Sequence, residues 1–183
     1  NHYIISAKDL CTLPFIEKLK KAGITAFKIE GRNKEPEYVD IVTKVYRKAL
    51  DKKLTKLEIE QALKELNKAY NKGFSSGFYL KYPTSDDFSK SEDSSAKQSK
   101  EFIGKIYHYY LKINVGLLKL NTGKLKLGDE ILIIGKTTGV LKHKIESMQM
   151  KHKSITKAEK GDEIGIKLPF CRKGDELYKI IEK

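Results

Sequence analysis

Long apolar runs, paired cysteines and arginine are all scarce in this sequence, and each scarcity argues against certain classes of protein. No window approaches the roughly 18–20 apolar residues that a transmembrane helix needs, and the N-terminus lacks the charged-then-apolar pattern of a signal peptide. The two cysteines, Cys11 and Cys171, are far apart and fit no metal or redox spacing. We therefore expect two inert thiols and a cytoplasmic protein.

Arginine is rare even among the basic residues. The chain carries 37 lysines and arginines against 24 acidic residues, a formal net charge of +13. Only Arg32, Arg47 and Arg172 are arginines, which leaves 34 lysines (37 − 3). A basic surface attracts nucleic-acid phosphate. A lysine skew of this kind also arises from genome-wide codon bias, so the charge alone gives an RNA partner only weak support.

Residues 1–82 have the pattern of alternating strands and helices. Tyr3–Ser6 and Ile24–Ile29 are predicted strands, and the amphipathic helix between them is capped by Thr12 and stopped by Gly23. Strand, helix and strand with short loops make a βαβ unit with parallel strands. Two helices follow at about 35–50 and 55–70, the second opened by a Thr-x-x-Glu capping box at Thr55.

Residues 83–101 are rich in Ser, Asp and Lys and are predicted to be a linker. Beyond it, over 102–183, the periodicity becomes that of strands, and Gly-Asp-Glu recurs at Gly128, Gly161 and Gly174 just before three of them. This pattern favours a small closed β-barrel. The predicted strands are Phe102–Tyr107, Ile113–Leu120, Glu130–Ile134, Val140–Met148, Glu163–Leu168 and Glu176–Ile181.

The candidate catalytic residues follow the two predicted N-terminal strands. Lys8 and Asp9 come after the first strand, and Glu30 and Arg32 come after the second. The carboxyl ends of strands form the functional rim of a βα-barrel, so the four side chains could face one cleft. A Glu30–Arg32 ion pair that fixes a loop, or an ordinary polar helix entry, explains the same residues and stays open.

Ser6, Lys28 and Arg47 are the candidate substrate-binding residues. Ser6 and Lys28 lie at the same two strand ends, and the guanidinium of Arg47 offers a rigid, permanently charged fork. The four histidines are scattered, so they provide neither a metal pair nor a confident Ser/His/Asp set.

Aromatic residues alternate with lysines in the first part of the predicted barrel. Lys105, Tyr109, Tyr110 and Lys112 surround His108. Such interleaving suits base stacking and phosphate contact, so these four are the candidate nucleic-acid-binding residues. Tyrosine is also an ordinary strand residue, and packing inside the barrel is the alternative.

Several motifs, taken in order, resemble the C-terminal portion of peptidase family U32, the collagenase-like proteases. In residues 1–82 they include Ser6-x-Lys8-Asp9-Leu10, Lys28–Arg32 and Tyr46-Arg47-Lys48-Ala49. Residues 102–183, with GKTTG, SMQMKHK and KGDEIGIKL, resemble the family's C-terminal domain, which is similar to the second domain of elongation factor Tu. The resemblance implies an α/β plus all-β chain: the last βα units of a TIM-barrel-like domain, then a small translation-factor-like β-barrel.

The same resemblance implies one of two activities for a longer protein whose N-terminal barrel portion is not in this sequence. One is collagenase-like proteolysis, and the other is prephenate-dependent hydroxylation of tRNA or rRNA bases, linked to an iron–sulfur cluster. The family's cysteine-rich signature lies upstream, so we expect no cofactor in this chain, and Cys11 is a doubtful ligand. We expect the peptidase activity first, with a peptide substrate or RNA as partner and no membrane. The chain alone should be inert, or act as a binding module.

Overall fold

The computed structural model describes residues 6–69, 71–89 and 96–182, and the chain divides into two compact units, 1–97 and 98–183. In the described residues no helix is both long and apolar enough to cross a membrane. Of the predicted strand Tyr3–Ser6, only Ser6 lies within the described residues.

The N-terminal unit is mainly helical. Its elements are β1 (Asp9–Leu10), a 3₁₀ turn (Leu13–Phe15) that runs into α1 (Ile16–Lys21), α2 (Pro36–Asp51), α3 (Lys56–Leu66) and β2 (Phe74–Ser75). Strands β1 and β2 pair in parallel, with Asp9 opposite Phe74. One apolar core joins the 3₁₀ turn to the inner faces of α2 and α3, and Leu13 and Ala49 are fully buried in it.

The helix boundaries follow local signals. Pro36 opens α2 at a position where its missing N–H is not needed. The capping box of α3 is confirmed: Thr55 Oγ1 accepts from the N–H of Glu58 at 3.2 Å, and Glu58 Oε2 accepts from the N–H of Thr55 at 2.9 Å. Gly23 has φ of 81° just past α1, as predicted. Thr12, however, makes no cap hydrogen bond.

The predicted strand Ile24–Ile29 is wrong in this structure. Residues 24–30 join no ladder among the described residues, although their side chains still alternate: Phe27 and Ile29 pack on the core while Lys28 and Glu30 are exposed. A strand needs a neighbour for its backbone groups, and the partner of β1 is β2, from beyond α3. The predicted βαβ unit is therefore absent from the described residues, and the TIM-barrel assignment stays a prediction.

The C-terminal unit is all β. Its strands are β3 (Gln98–Tyr110), β4 (Val115–Lys119), β5 (Lys124–Lys126), β6 (Glu130–Gly135), β7 (Gly139–Lys144), β8 (Met148–Met150), β9 (Lys153–Ile155), β10 (Lys157–Glu159), β11 (Glu163–Lys167) and β12 (Glu176–Glu182). Eight strands form an antiparallel sheet in the order β7-β6-β12-β3-β4-β11-β8-β9, and β5 pairs with β10 separately. Both sheets bury side chains in a single core.

The backbone ladder of the eight-stranded sheet does not close into the predicted barrel within the described residues. The sheet is nevertheless strongly curled, because His143 Nε2 on β7 lies 3.1 Å from the carbonyl oxygen of Lys167 on β11, five strands away in the order. Leu125 on β5 and Ala158 on β10 are buried in the same core. The unit is thus a curled open sheet completed by a two-stranded one, and a translation-factor-like barrel stays a prediction.

The three Gly-Asp-Glu sequences make one and the same turn. Gly128, Gly161 and Gly174 have φ between 87° and 96°. In each turn the aspartate after the glycine accepts from the backbone N–H three residues earlier, at 2.8–2.9 Å, as Asp175 does from Arg172. The predicted roles of glycine and aspartate are confirmed here, and each turn feeds the next strand directly.

The predicted linker 83–101 is partly structured. Ser85–Asp87 is a 3₁₀ turn, and Phe88 bridges to Ala7 beside β1. Residues 98–101 already belong to β3. Sequence composition misses the Phe88 bridge and the start of β3 because both pair with residues distant in the chain.

A candidate functional site beside strand β1

A cleft of about 390 Å³ opens beside β1 and α2 in the N-terminal unit. Four of the residues predicted from sequence line it: Asp9, Lys28, Glu30 and Arg47. Phe27, Ile29, Val42 and Leu50 provide apolar walls, and Thr12, Lys34, Tyr38 and Tyr46 add polar groups. The cleft therefore combines apolar contact area with charges of both signs, as ligand sites commonly do.

Asp9 is the most firmly fixed carboxylate of this cleft. Its backbone N–H donates to the carbonyl of Gly73 at 2.9 Å, and its Oδ2 accepts from the N–H of Lys72 at 2.8 Å. Its Oδ1 lies 3.4 Å from Lys34 Nζ. These contacts anchor the carboxylate in one orientation, which suits it to positioning a ligand.

The hydroxyl of Tyr46 closes the inner end of the cleft. It accepts from the backbone N–H of Thr12 at 3.0 Å and donates to Cys11 Sγ at 3.7 Å. Burial, with a smaller contribution from Cys11, raises the pKa of Tyr46 to about 12. Burial also raises the pKa of the Cys11 thiol. Both groups are therefore protonated at neutral pH, and Cys11 is a poor nucleophile.

Glu30 and Lys28 form the exposed rim. Lys28 Nζ lies 4.0 Å from Glu30 Oε2, and the two side chains are 89% and 74% exposed. Glu30 Oε1 accepts from the backbone N–H of Arg32 at 3.1 Å. Glu30 therefore fixes the loop through the backbone of Arg32 in this structure, and Arg32 does not line the cleft.

Arg47 lines the cleft but is held along its own helix. Its Nε and Nη2 donate to Asp51 Oδ1 at 2.9 and 2.5 Å, one turn further along α2. The hydrogen bond to Asp51 raises the pKa of Arg47. The guanidinium would have to leave Asp51 to engage a ligand with its full fork.

Ser6 and Lys8, both predicted site residues, lie away from the cleft lining. Ser6 Oγ accepts from Lys72 Nζ at 2.8 Å, and the N–H of Lys8 donates to the carbonyl of Asp87 at 2.9 Å. The carboxylate of Asp87 has a pKa well below its usual range, first because it accepts from the N–H of Thr84. Ser6 and Lys8 thus hold the segment 72–89 against β1.

The site residues predicted from sequence leave out Lys34, Tyr38 and Tyr46, which contribute polar groups to this cleft. The helical spacing of Tyr46 with Val42 and Ala49 indicates the apolar face of α2 rather than a site. Lys34 gave no signal. Its Nζ lies 4.8 Å from the centre of the Tyr38 ring as well as close to Asp9, and burial, then Asp9, raises the pKa of Tyr38.

The residues of the N-terminal unit do not fit an iron–sulfur cluster. Such clusters are held by several cysteine thiolates, whereas Cys11 is this unit's one cysteine in the sequence. Its thiol is buried and hydrogen-bonded to Tyr46. Among the described residues no three His, Cys, Asp or Glu side chains group together to hold a metal ion.

A β-bulge decides which aromatic residues of β3 face outward. The β3–β4 ladder shifts between Ile106 and His108, so Tyr107 and His108 are both exposed and Tyr109 turns inward. The hydroxyl of Tyr109 donates to the carbonyl of Leu168 at 3.2 Å, and its ring packs against the core. Tyr109 therefore packs on the core in this structure, and its contact with nucleic acid stays a prediction.

The other candidate nucleic-acid residues lie on the surface. Tyr110 is 46% exposed, and its ring centre lies 4.4 Å from that of His108. Lys112 is exposed in the turn after β3. Lys105 Nζ lies 3.0 Å from Glu176 Oε1, so much of its charge is balanced. Tyr110 and Lys112 thus lie together on the surface at the end of β3, and we call this surface the Tyr110–Lys112 edge. Tyr109 and Lys105 do not join it.

Residues 1–89 match the profile of peptidase family U32 and so carry a U32 family domain. Among curated proteins the chain is 40% identical over 186 residues to an uncharacterized protease of Methanocaldococcus jannaschii, and 36% identical over 183 residues to a collagenase of Porphyromonas gingivalis. Each alignment covers 98% of the chain, but only 45% and 44% of the relatives. The chain thus spans less than half the length of either protein.

The chain is also similar, over a shorter stretch, to tRNA hydroxylation proteins. The tRNA hydroxylation protein P of Escherichia coli is 34% identical over 104 residues, 56% of this chain and 23% of that protein. One solved structure is a C-terminal domain from a Geobacillus thermoleovorans protein assigned to the U32 peptidases. Its alignment covers 43% of this chain and 91% of that domain. The match has 16% identity and a TM-score of 0.41, too low to define a shared fold.

Proposed function

We propose that this chain is the C-terminal portion of a U32-family peptidase, and that the cleft beside β1 binds a peptide segment of its protein substrate. The observation that carries the proposal is the lining of the cleft: apolar walls under a fixed carboxylate, two protonated phenols and an exposed Lys28–Glu30 pair. The protease and the collagenase that align with 98% of the chain support the peptide as ligand.

Each part of the cleft has a role in this proposal. The apolar walls accept a substrate side chain, because burying apolar surface is favourable. Tyr38 offers its hydroxyl to the peptide backbone, and the exposed Lys28–Glu30 pair can exchange its weak mutual contact for charges on the substrate.

The cleft is suited to binding rather than to bond cleavage. The buried thiol of Cys11, which is hydrogen-bonded to the lining residue Tyr46, is protonated. The proposal therefore assigns the reacting groups to the remainder of a longer protein, and the chain alone should not cleave gelatin.

Steady-state cleavage of a gelatin-derived peptide by a full-length protein containing this chain tests the proposal. Lys28→Gln with Glu30→Gln should raise KM several-fold and leave kcat nearly unchanged, because binding interactions shared by substrate and transition state act on KM. Lys44→Gln on α2, outside the cleft lining, is the control. An unchanged KM, or gelatin turnover by the isolated chain, would refute it.

RNA base hydroxylation is the second candidate. The likeness to a tRNA hydroxylation protein favours it, together with the exposed Tyr110–Lys112 edge. Mass spectrometry of tRNA and rRNA from cells with and without the gene would decide. Loss of one hydroxylated base on deletion would favour this function over proteolysis.

A further inference from the structure

The turn between β8 and β9 has a backbone conformation that its residues seldom adopt. Lys151 and His152 are the two loop residues of this hairpin, with φ of 50° and 62°, between the paired residues Met150 and Lys153. Positive φ at both central positions characterises a type I′ turn, which strongly favours Asn-Gly. Residues other than glycine, asparagine and aspartate are strained there. Two long basic side chains thus stand where a hairpin would ordinarily place asparagine and glycine.

The base of this hairpin is firmly held. Met148 is 1% exposed in the core and pairs with Ile155 on β9 and with Ile166 on β11. Gln149 and Ser154 pair on the opposite, exposed face. The turn is therefore presented by an ordered ladder rather than by a loose loop.

The turn carries an unbalanced positive charge. Lys151, His152 and Lys153 are consecutive and all exposed, and within the described residues none of them has a carboxylate partner. Two other exposed lysines of this sheet do have one: Lys119 lies 3.8 Å from Glu163, and Lys142 lies 2.7 Å from Glu130. The three basic residues are therefore available to an external anion.

The turn also lies away from the Tyr110–Lys112 edge. Strand β8 is antiparallel to β11, β11 to β4, and β4 to β3, so β8 runs opposite to β3. Its last residue therefore lies toward the end of the sheet where β3 begins, while Tyr110 and Lys112 lie where β3 ends.

We infer that the Lys151–Lys153 turn is an RNA-binding site that contacts backbone phosphates. Lysine, serine and glutamine are among the side chains with which nucleic-acid-binding proteins contact phosphate and sugar, and Gln149 and Ser154 extend the exposed face behind the turn. A membrane-inserting tip would carry exposed apolar side chains, whereas Met150 and Ile155 pack against the core. This site belongs to the C-terminal unit and does not depend on the cleft beside β1.

The double variant Lys151→Asn/His152→Gly separates binding from folding, because it supplies the residues that the turn prefers. Titration of the 183-residue chain with fluorescein-labelled oligouridylate should show roughly ten-fold weaker binding at low salt. The slope of log affinity against log salt should fall by about one for each lost phosphate contact. The thermal midpoint should stay equal or rise. Lys136→Asn, in the β6–β7 turn, removes a charge near the other end of the sheet and is the control.

A second variant, Lys153→Gln, leaves the two turn residues unchanged and should also weaken binding. Unchanged affinity in both variants would overturn the inference, and so would an equal loss in Lys136→Asn, which would indicate only general charge. Tighter binding to polyglutamate than to oligouridylate would reassign the turn to an acidic protein. Weaker binding accompanied by a lower thermal midpoint would make the turn structural.

Discussion

Lys179 Nζ lies 2.7 Å from Asp129 Oδ2, and the two side chains are only 18% and 7% exposed. Asp129 Oδ2 also accepts from the N–H of Lys126, and Lys179 Nζ donates to the carbonyl of Lys124 at 3.4 Å. This ion pair therefore joins β12 both to the turn before β6 and to β5. Substitution of Lys179 therefore tests how much this link between the eight-stranded and the two-stranded sheets contributes to stability.

Lys179→Met should lower the free energy of unfolding of the C-terminal unit by about 3 kcal/mol, because it leaves the buried carboxylate of Asp129 unpaired. Lys119→Met is the matched control, since Lys119 and Glu163 are both about 60% exposed and such surface pairs contribute about 1 kcal/mol or less. Urea unfolding monitored by circular dichroism measures both. Equal effects of the two substitutions would contradict the prediction.

The capping box of α3 should make stability depend on acid pH. The hydrogen bond from Lys52 and then the N–H of Thr55 lower the pKa of Glu58 from 4.5 to about 2. A lowered folded-state pKa adds stability above the ordinary value, which is lost as pH falls from about 4.5 towards about 2. The difference in thermal midpoint between wild type and Glu58→Gln should therefore shrink across that range. A difference in thermal midpoint that stays constant over this pH range would show that Glu58 is not the source of the pH dependence.

Both cysteines should resist alkylation in the folded chain. Burial, and then Asp175, raises the pKa of Cys171 to about 11, and burial raises that of Cys11 as well. Thiolate is the reactive form, so iodoacetamide at pH 8 should label both slowly, and rapidly once urea exposes them. The Cys171→Ser variant isolates Cys11. Fast labelling of the folded chain would show that one thiol is activated after all.

Truncation of Tyr109 should destabilise the C-terminal unit more than truncation of Tyr110. Tyr109→Ala removes a ring packed on the core and should lower the free energy of unfolding by about 2 kcal/mol. Tyr110→Ala removes an exposed ring and should change it by about 0.5 kcal/mol or less. Chemical denaturation checks both values. A larger loss in Tyr110→Ala would mean that the bulge lies elsewhere in β3.

Features set by neighbouring residues were predictable from sequence. The capping box at Thr55 and the three Gly-Asp-Glu turns depend on contacts three residues apart, and the structure confirms both. The inward turn of Tyr109 was not predictable, because the bulge depends on how β3 aligns with β4. Alternation without a bulge would have placed Tyr109 outward and Tyr110 inward.

The residues of the candidate cleft also divide into those that local sequence identifies and those that depend on distant contacts. Asp9, Lys28 and Glu30 could be identified because polar residues at predicted strand ends mark a functional rim, and they do line one cleft. Lys34 could not, because its contact with Asp9 joins residues 25 positions apart. The strand predicted at 24–29 fails for a related reason: its pattern is present, but a ladder also requires a partner strand.

The open ends of the eight-stranded sheet have a consequence for solubility. Among the described residues, strands β7 and β9 each leave one side without a ladder partner in that sheet, although His143 on β7 contacts the carbonyl oxygen of Lys167 on β11. An unpaired edge is a template for association with other chains. Lys142 and Lys144 on β7, and Lys153 on β9, are exposed along these edges. Because docking a second strand would bury these charges, the lysines act as gatekeepers against edge-to-edge aggregation. Chemical acetylation of the folded chain should therefore promote fibrillar self-association.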